Sequence, residues 1–452
     1  MRRSKILTGI VAPLALIVSG CVAERPADPV VLTGADLSRV RGAVPAKVIG
    51  FKYLDNRWQQ SPIQIDERAV LDLAKPKNQA ATGQTFLTYT DPNTFTGADP
   101  DATFDSNDEL VFMGIDAGVK APAGSTPPGV IAGSGTEVRI VDALGDPSPA
   151  FLYLFRQTGN LDPGAGKDYV NYSFNLLSGD YKTTYKLGAG PNPENSTVTT
   201  DFYSHHFSDR WISDQLRITA PNASGVDILD RHKNLFAPGQ CVRSEDTFSS
   251  GAGALIANKN GPVRAIRSYI GANSGVYTHR EHRFYQRRQD ITTYLRVHAI
   301  PGVMDFFDYT SAATGMTYKH EVDQRGARID GVPETPTAGD IGWEQVDGPQ
   351  GSLGIAHTYS TDIPGFSSTS YYLDKQAPGG GAETQCTGDS SSYGASGPRV
   401  AQSLPNTDPT IGAANRLAVT RHLFYDSPGK ANGARSEAQV TSPLQTTSAN
   451  WP

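Results

Sequence analysis

The stretch from Tyr277 to His298, YTHREHRFYQRRQDITTYLRVH, concentrates side chains that bind anions and move protons. It holds five arginines, three histidines and three tyrosines, but no lysine. Arginine matches a carboxylate or sulfate in bidentate fashion, tyrosine offers a flat face to a sugar ring, and histidine transfers protons near neutral pH. This set suits an anionic saccharide. It also suits β-elimination of a uronate, in which one group neutralises the carboxylate and another takes the adjacent carbon-bound proton.

Period-two alternation along a strand decides which of these side chains share a face. The first strand is predicted to place one set on a single face: Tyr277, His279, Glu281, Arg283, Tyr285 and Arg287. The next strand has an apolar core face, so its polar face is predicted to be open: Tyr294, Arg296 and His298. If the protein is a lyase, Tyr285 or His279 takes the proton, while Arg283 and Arg287 bind the carboxylate. A solvated sheet surface laced by cross-strand ion pairs is the alternative.

A second polar feature is the acidic segment DPDATFDSNDELVF (99–112). Ca²⁺ takes six to eight oxygen ligands, often from one short loop. The segment therefore predicts a structural calcium site, with these candidate ligands: Asp99, Asp101, Asp105, Asn107 and Glu109. The spacing is not that of an EF-hand, and an Asx-rich turn that precedes a strand is the alternative.

Several familiar catalytic motifs are missing from the sequence. It contains no G-x-S-x-G nucleophile elbow and no H-E-x-x-H zinc motif. It also lacks a phosphate-binding G-x-x-x-x-G-K-[ST] loop and a Rossmann fingerprint. These absences argue against the commonest esterase arrangement and against nucleotide chemistry.

The elements that must position these side chains are predicted to be strands. Short runs rich in β-branched and aromatic residues are bounded by Gly, Pro, Asp and Asn, as in KVIGFKYL (47–54) and AFLYLFRQ (150–157). The best helix candidate, ERAVLDLAK (67–75), is only two turns long. The predicted fold class is all-β, with a small N-terminal β domain followed by a large β-sandwich.

A connector rich in Gly, Pro and Asp, GNLDPGAGKD (159–168), marks the predicted domain boundary. The N-terminal β domain is then predicted over residues 31–158, and the large sandwich over residues 168–426. Residues 427–452 lack aliphatic periodicity and are rich in Ser, Thr, Ala and Gly, so they are predicted to form a disordered tail.

The N-terminus has the features of a secretory signal. Three basic residues precede a short apolar core, and small residues follow it. The ending Val18-Ser19-Gly20-Cys21 closely resembles a bacterial lipobox. That resemblance implies removal of residues 1–20, lipidation of Cys21 with an acyl chain such as palmitate, a tether over residues 21–30, and anchoring to a membrane of the cell envelope, outside the cytoplasm. An uncleaved anchor helix is the alternative.

The net charge limits the kinds of partner that the protein can have, and the cysteine count bears on whether it contains a disulfide. With 40 basic and 46 acidic residues, the chain carries −6, which argues against nucleic acid as a partner. Once Cys21 is lipidated, only Cys241 and Cys386 remain. In an exported protein these two either pair in a disulfide or stay as separately buried thiols.

Three segments carry a family resemblance. NGPVRAIRSY (260–269), with the Arg-, Tyr- and His-rich strands after it, resembles the large β-sandwich proteins related to galactose mutarotase that occur in polysaccharide-degradation loci. PIQIDERA (62–69) and DSNDELVFM (105–113) are similar to a small N-terminal β domain of exported proteins. The resemblance implies a broad sandwich with a concave ligand face, and it transfers no catalytic residue.

The sequence thus predicts a membrane-anchored, exported lipoprotein that binds an acidic polysaccharide or degrades it by β-elimination. Its expected partners are the membrane, through the lipid, and an anionic glycan. Two alternative functions are compatible with the same sequence features. One is a glycan-binding protein without catalysis, and the other is a structural or interaction lipoprotein of the cell envelope.

Overall fold

The computed structural model describes residues 24–72, 85–180, 182, 192–237, 241–272, 275–295, 299–377, 391–404 and 417–452, with the backbone alone at 275–277. Strands dominate these residues, which confirms the all-β class. None of the described helices is long and apolar enough to cross a membrane.

The first fourteen strands are β1 (Pro29–Thr33), β2 (Val48–Leu54), β3 (Arg57–Ser61), β4 (Gln64–Asp66), β5 (Arg68–Asp72), β6 (Thr85–Tyr89), β7 (Glu109–Met113), β8 (Gly135–Val141), β9 (Ala150–Arg156), β10 (Asn171–Ser173), β11 (Ser196–Thr199), β12 (Tyr203–Phe207), β13 (Ser213–Ile218) and β14 (Leu229–Leu235). The remaining strands are β15 (Ala254–Lys259), β16 (Ala265–Ala272), β17 (Gly275–Phe284), β18 (Arg288–Leu295), β19 (Val303–Tyr309), β20 (Thr317–His320), β21 (Ala327–Arg328), β22 (Trp343–Gly348), β23 (Gly351–Thr361), β24 (Thr369–Lys375), β25 (Ser392–Val400), β26 (Leu417–Asp426) and β27 (Gln445–Trp451).

Helical structure is short. The described α-helices are α1 (Glu245–Ser249) and α2 (Gly433–Thr441). Single 3-10 turns occur at Gly34–Asp36, Pro45–Lys47, Gly114–Asp116, Cys241–Arg243 and Ser311–Ala313.

The N-terminal domain is built from a five-stranded sheet, β27-β8-β9-β2-β3, and a three-stranded sheet, β1-β7-β4. Apolar side chains from both sheets form one buried cluster, in which Leu152 and Leu154 of β9 pack with Leu110 and Phe112 of β7. Strands β5 and β6 form a separate hairpin.

The large domain is a broad sandwich. Its main sheet has nine strands in the order β15-β16-β17-β18-β26-β23-β22-β20-β21. Two four-stranded sheets, β10-β11-β12-β13 and β14-β19-β25-β24, supply the other layer. A continuous cluster that includes Phe284, Phe307, Ile355 and Leu423 fills the space between the layers.

The C-terminal segment is ordered, so the prediction of a disordered tail at 427–452 is wrong. Helix α2 is capped by Asn432, whose side chain accepts a hydrogen bond from the backbone of Arg435. Strand β27 pairs with β8 along its whole length, and the indole of Trp451 packs 4.8 Å from the ring of Tyr153. Composition misled because β27 is an edge strand that exposes most of its side chains and needs only Trp451 in the core.

Two further expectations are wrong. The tether predicted over residues 21–30 does not extend past residue 23, because Arg25 is buried at 1% exposure and β1 begins at Pro29. Arg25 donates to Asp142 Oδ1 and to the backbone oxygen of Gln439, both at 2.9 Å. Within the helix predicted over 67–75, residues 68–72 instead form strand β5, because β6 supplies hydrogen-bond partners for their backbone along a five-residue register. Residues 73–75 lie outside the described residues.

Ionisable side chains also lie between the layers of the sandwich. Asp305 receives Arg280 Nη2 at 2.7 Å and His232 Nε2 at 2.5 Å, and all three side chains are almost fully buried. His205 hydrogen-bonds Gln289 at 2.9 Å. Burial lowers the pKa of His205 to about 4 and that of His232 to about 3. The interior therefore holds neutral imidazoles at neutral pH.

These imidazoles predict a loss of stability in mild acid. The pKa of His205 is about 4 in the folded protein against an ordinary 6.5, so between these values the unfolded chain binds more protons and the free energy of unfolding falls as the pH falls. His205 should account for about 2 kcal/mol of this loss between pH 7 and pH 5. Urea unfolding at both pH values measures it, and His205→Asn should lose correspondingly less. Equal losses in the two proteins would contradict the assignment.

Candidate functional site

One face of the nine-stranded sheet is left partly open by the elements that pack on it. At one side the hairpin β5–β6 inserts Phe86 and Tyr89 against Ile266 and Ile270 of β16. At the other side α2 contacts β22 and β23. A Cβ at Gly433 would lie 2.0 Å from a ring carbon of Trp343, so glycine lets the first turn of α2 rest on that indole.

Strands β17, β18, β26 and β23 run between these two walls. Four neighbouring strands span about 14 Å. Their side chains on this face form what we call the open strip: His279, Glu281, Arg283, Asp290, Thr292, Tyr294, Thr358, Thr420 and His422. His279, Glu281, Asp290, Thr292 and His422 are buried, and the other four are half-buried. The cross-strand register makes direct neighbours of Arg283, Asp290 and His422.

His422 and Asp290 form a hydrogen-bonded pair at the centre of the open strip. His422 Nδ1 lies 2.7 Å from Asp290 Oδ1, and Asp290 is held in turn by Arg288 Nε at 2.7 Å. Burial raises the pKa of Asp290, but the charge of Arg288 and the hydrogen bond from His422 outweigh it and hold that pKa well below its usual range. Burial lowers the pKa of His422 despite the opposing charge of Asp290.

The contacts at Nδ1 bear on the tautomer of His422: Asp290 Oδ1 lies 2.7 Å from this nitrogen, and Arg288 Nη2 lies farther away, at 3.2 Å. A carboxylate can only accept, so the neutral imidazole carries its proton on Nδ1 and donates it to Asp290. Nε2 is then an acceptor, and Thr358 Oγ1 lies 3.0 Å from it. Asp290 thus orients an imidazole whose basic nitrogen faces the open strip, the relation that a carboxylate has to a general-base histidine in hydrolases.

Arg283 supplies a guanidinium with spare capacity beside this pair. Its side chain is 24% exposed, and its Nε lies 3.6 Å from Glu281 Oε1. Within the described part of the chain, Nε has no hydrogen-bond partner. Burial raises the pKa of Glu281. The charge of Arg283 lowers the pKa of both Asp290 and His422, so the three groups are electrostatically coupled.

An aromatic pair lies along the strip from the charged groups. The rings of His279 and Tyr294 stack with centroids 5.0 Å apart, and Phe86 meets His279 edge-on at 5.0 Å. His279 Nε2 lies 2.8 Å from Ser268 Oγ. Tyr294 is half-buried.

The structure brings together some of the predicted residues and separates others. His279, Arg283 and Tyr294 lie on the open strip, as the alternation predicts. Tyr285 and Arg287 do not, because β17 ends at Phe284 and the chain turns there. Tyr285 is buried at 1% exposure, and Arg287 lies 3.8 Å above the ring of Phe202. The side chain of Tyr277 and residues Arg296 and His298 lie outside the described residues.

The sequence analysis did not identify His422, whose imidazole is the candidate base of the site. His422 comes from β26, which no motif links to the Tyr277–His298 segment, and Thr358 comes from β23. Asp290 lies inside that segment. The one signal in the sequence is a histidine that alternates with Leu423 and Arg421 in a strand-like run, and such a pattern is common in ordinary sheets.

A buried ion cluster joins the N-terminal domain to the sheet beside the open strip. Arg264, at 0% exposure, lies 2.8 Å from carboxylate oxygens of both Asp66 and Glu109. Gln64 Oε1 accepts the backbone N–H of Arg264 at 3.0 Å. Burial raises the pKa of Glu109, but Arg264 and Arg68 outweigh it and lower that pKa to about 2. All three segments that carried the family resemblance contribute to this cluster.

The acidic segment is organised by its own backbone. Asp99 accepts the N–H of Asp101 at 2.9 Å, Asp101 accepts that of Thr103 at 3.0 Å, and Asp105 accepts that of Asn107 at 2.8 Å. These are Asx turns. Across the described ranges, no group of three or more His, Cys, Asp or Glu side chains could hold a metal ion. Calcium binding by this segment stays a prediction.

Cys241 is disulfide-bonded. Its partner lies outside the described residues, so the pairing with Cys386 stays a prediction. Cys21 lies outside them as well.

Comparison with known proteins yields distant structural likenesses. No protein family and no curated protein matches the sequence. A chain assigned as an aldose 1-epimerase from Escherichia coli K12 aligns over 57% of this chain and 100% of its own, at 10% identity and a TM-score of 0.27. An alpha-mannosidase from Enterococcus faecalis V583 aligns over 91% of this chain, which spans 47% of the mannosidase, at 10% identity and a TM-score of 0.36. Both TM-scores lie below 0.5, so these likenesses carry no weight for the activity of this chain.

The Arg264 cluster predicts a large effect of a single substitution. Arg264→Met removes the charge but keeps much of the side-chain volume, and it leaves the buried Asp66 and Glu109 without their shared partner. We expect a loss of about 3–5 kcal/mol in the free energy of unfolding. Urea titration measures it, with Arg139→Met on an exposed position of β8 as the matched control. A loss within about 0.5 kcal/mol, the range of ordinary surface changes, would show that the cluster contributes little.

Proposed function

We propose that this protein binds an acidic polysaccharide along the open strip and cleaves it by β-elimination. One observation carries the proposal. An arginine with spare hydrogen-bonding capacity stands two strands away from a neutral histidine that a carboxylate orients, and both groups reach the same partly open face. A uronate requires these two groups together.

In the proposed reaction Arg283 pairs with the uronate carboxylate. The paired charge stabilises the negative charge that develops when the adjacent carbon loses its proton. His422 Nε2 takes this proton, and the electron pair of the broken C–H bond forms a carbon–carbon double bond. The glycosidic C–O bond at the next carbon breaks, and its oxygen leaves with the bonding electrons. His422 then gives the proton to this oxygen, so the step needs no further reactant.

The other groups of the strip hold the substrate and the base. Asp290 stabilises the imidazolium that forms while His422 carries the second proton, and Arg288 fixes Asp290. The stacked His279–Tyr294 pair offers a platform for a neighbouring sugar ring. Hydroxyl groups of Thr292 and Thr420, 3.0 Å apart, add hydrogen-bonding capacity between the platform and the base.

Product formation tests the reaction. The chain with Cys21→Ser is incubated with a panel of uronate-containing polysaccharides, and the ultraviolet absorbance of the unsaturated uronate is followed. We expect a rise with at least one polymer. His422→Ala should lower kcat by about 10²–10⁴, because a positioned acid–base group is lost. Arg283→Gln should raise KM and make binding less sensitive to salt, because a charge that meets the carboxylate is lost.

Arg139→Gln, an exposed substitution on β8 of the other domain, is the control and should behave like the parent chain. An absorbance rise that survives His422→Ala would remove His422 as the base. Saturable binding that depends on Arg283 but gives no product would favour a glycan-binding protein. Absence of both binding and product across the panel would overturn the proposal and favour a structural or interaction lipoprotein.

We also propose that Cys21 carries lipid and holds the protein at a membrane of the cell envelope. The described fold begins close to this residue, because Arg25 is already buried. In a bacterial host that lipidates such signals, the full chain should fractionate with membranes, and Cys21→Ser should release it into the soluble fraction. Mass spectrometry of the N-terminal peptide should show the acyl chains. A soluble parent chain, or an unmodified Cys21, would refute this placement.

A further inference from the structure

A cavity lies on the same face of the sheet, next to the open strip. Its volume is about 300 Å³, and its lining includes Phe424, Arg287, Lys430, Asn432 and Arg435. Phe424 follows His422 by two residues on β26, so the two side chains share a face about 7 Å apart. The cavity is thus the next position along the strand from the proposed base.

The cavity has an excess of cations. Lys430 and Arg435 are exposed, and Arg287 Nη1 reaches its carboxylate neighbour, Asp426, only at 4.0 Å. Within the described residues, Arg287 Nε has no hydrogen-bond partner. Three cations thus face two acidic lining residues, Glu24 and Asp426.

Arg288 links this cavity to the proposed reaction centre. Its guanidinium lies 5.2 Å from the ring centre of Phe424, and the same guanidinium holds Asp290 at 2.7 Å. Asp290 in turn orients His422. Phe424 is half-buried and lies between the cavity and the open strip, so a ligand that occupies both would cross it.

We propose that this cavity is a second anionic subsite, which holds the carboxylate of a neighbouring uronate while the residue beside His422 reacts. The inference rests on the proposed function and extends it. The spacing of the two positions is comparable to one saccharide residue. The cavity takes the uronate that stays joined to the reacting residue after cleavage, and the residue that is cut off lies on the other side. Only oligomers of three residues or more are therefore cleaved with both positions filled. Lys430 and Arg435 supply the charge that selects an acidic residue there, and Arg287 closes the inner end of the subsite.

Chain-length dependence tests the subsite. The probes are uronate oligomers of two to six residues, prepared from polygalacturonate and from alginate, and kcat/KM is measured for each length. The parent chain should favour the hexamer over the dimer. The double substitution Lys430→Gln, Arg435→Gln should lower kcat/KM of the hexamer about ten times more than that of the dimer, mainly through KM, because 1.4 kcal/mol of binding is tenfold.

The possible results distinguish a failure of the subsite from a failure of the proposed function. If the parent cleaves the oligomers but the double variant keeps the parent's hexamer-to-dimer ratio, the subsite is refuted and the proposed function stands. If the parent neither binds nor cleaves any oligomer, the proposed function fails and the subsite with it.

Binding to vesicles that contain phosphatidylglycerol is measured in parallel. If the double variant loses vesicle binding while the oligomer ratio stays unchanged, the cavity belongs to a lipid headgroup and the inference is overturned. Arg139→Gln serves again as the control.

Discussion

The guanidinium of Arg264 lies buried between Asp66 and Glu109, and the arrangement around the open strip depends on that contact. Removing three charges from water costs several kcal/mol per ion, and the cost is offset only where the geometry is good and the remaining donors and acceptors are used. Here Gln64 and Tyr89 complete the hydrogen bonding. Because Arg264 stands immediately before β16, the cluster fixes the N-terminal domain at the edge of the strip. The cluster also holds the β5–β6 hairpin in place along one side of the strip.

Strand β17 shows how burial gives two different roles to the same types of charged residue. Arg280 and His282 of β17 point into the sandwich, where Arg280 pairs with Asp305 and burial keeps the pKa of His282 well below its usual value. Their neighbours Glu281 and Arg283 point to the open face. The many basic and aromatic residues of this segment therefore suggest a larger site than the structure contains, since half of these residues point into the core and pair with charges there. Residue type alone cannot separate the two halves, whereas alternation can.

Local regularity explains what the sequence could predict. The all-β class and the shared face of His279 and Arg283 follow from alternation, which needs only neighbouring residues. Tyr285 and Arg287 were misplaced because alternation says nothing about where a strand ends. His422 was missed because its contact with Asp290 is made by the pairing of β18 with β26, which joins positions 132 residues apart. The segments that carried the family resemblance meet at Arg264, beside the strip, so they mark the joint between the domains rather than the reacting groups.

The return of the chain at β27 makes the large sandwich an insertion within the N-terminal domain. The five-stranded sheet is completed only when residues 445–451 pair with β8, across about 300 residues of intervening chain. Such a long-range pairing is formed late, since the loop it closes is the whole sandwich. The first sheet thus keeps an unpaired edge at β8 until residues 445–451 pair with it. Once it is closed, two chain crossings join the domains instead of one, so a hinge motion at the strip would have to bend both together.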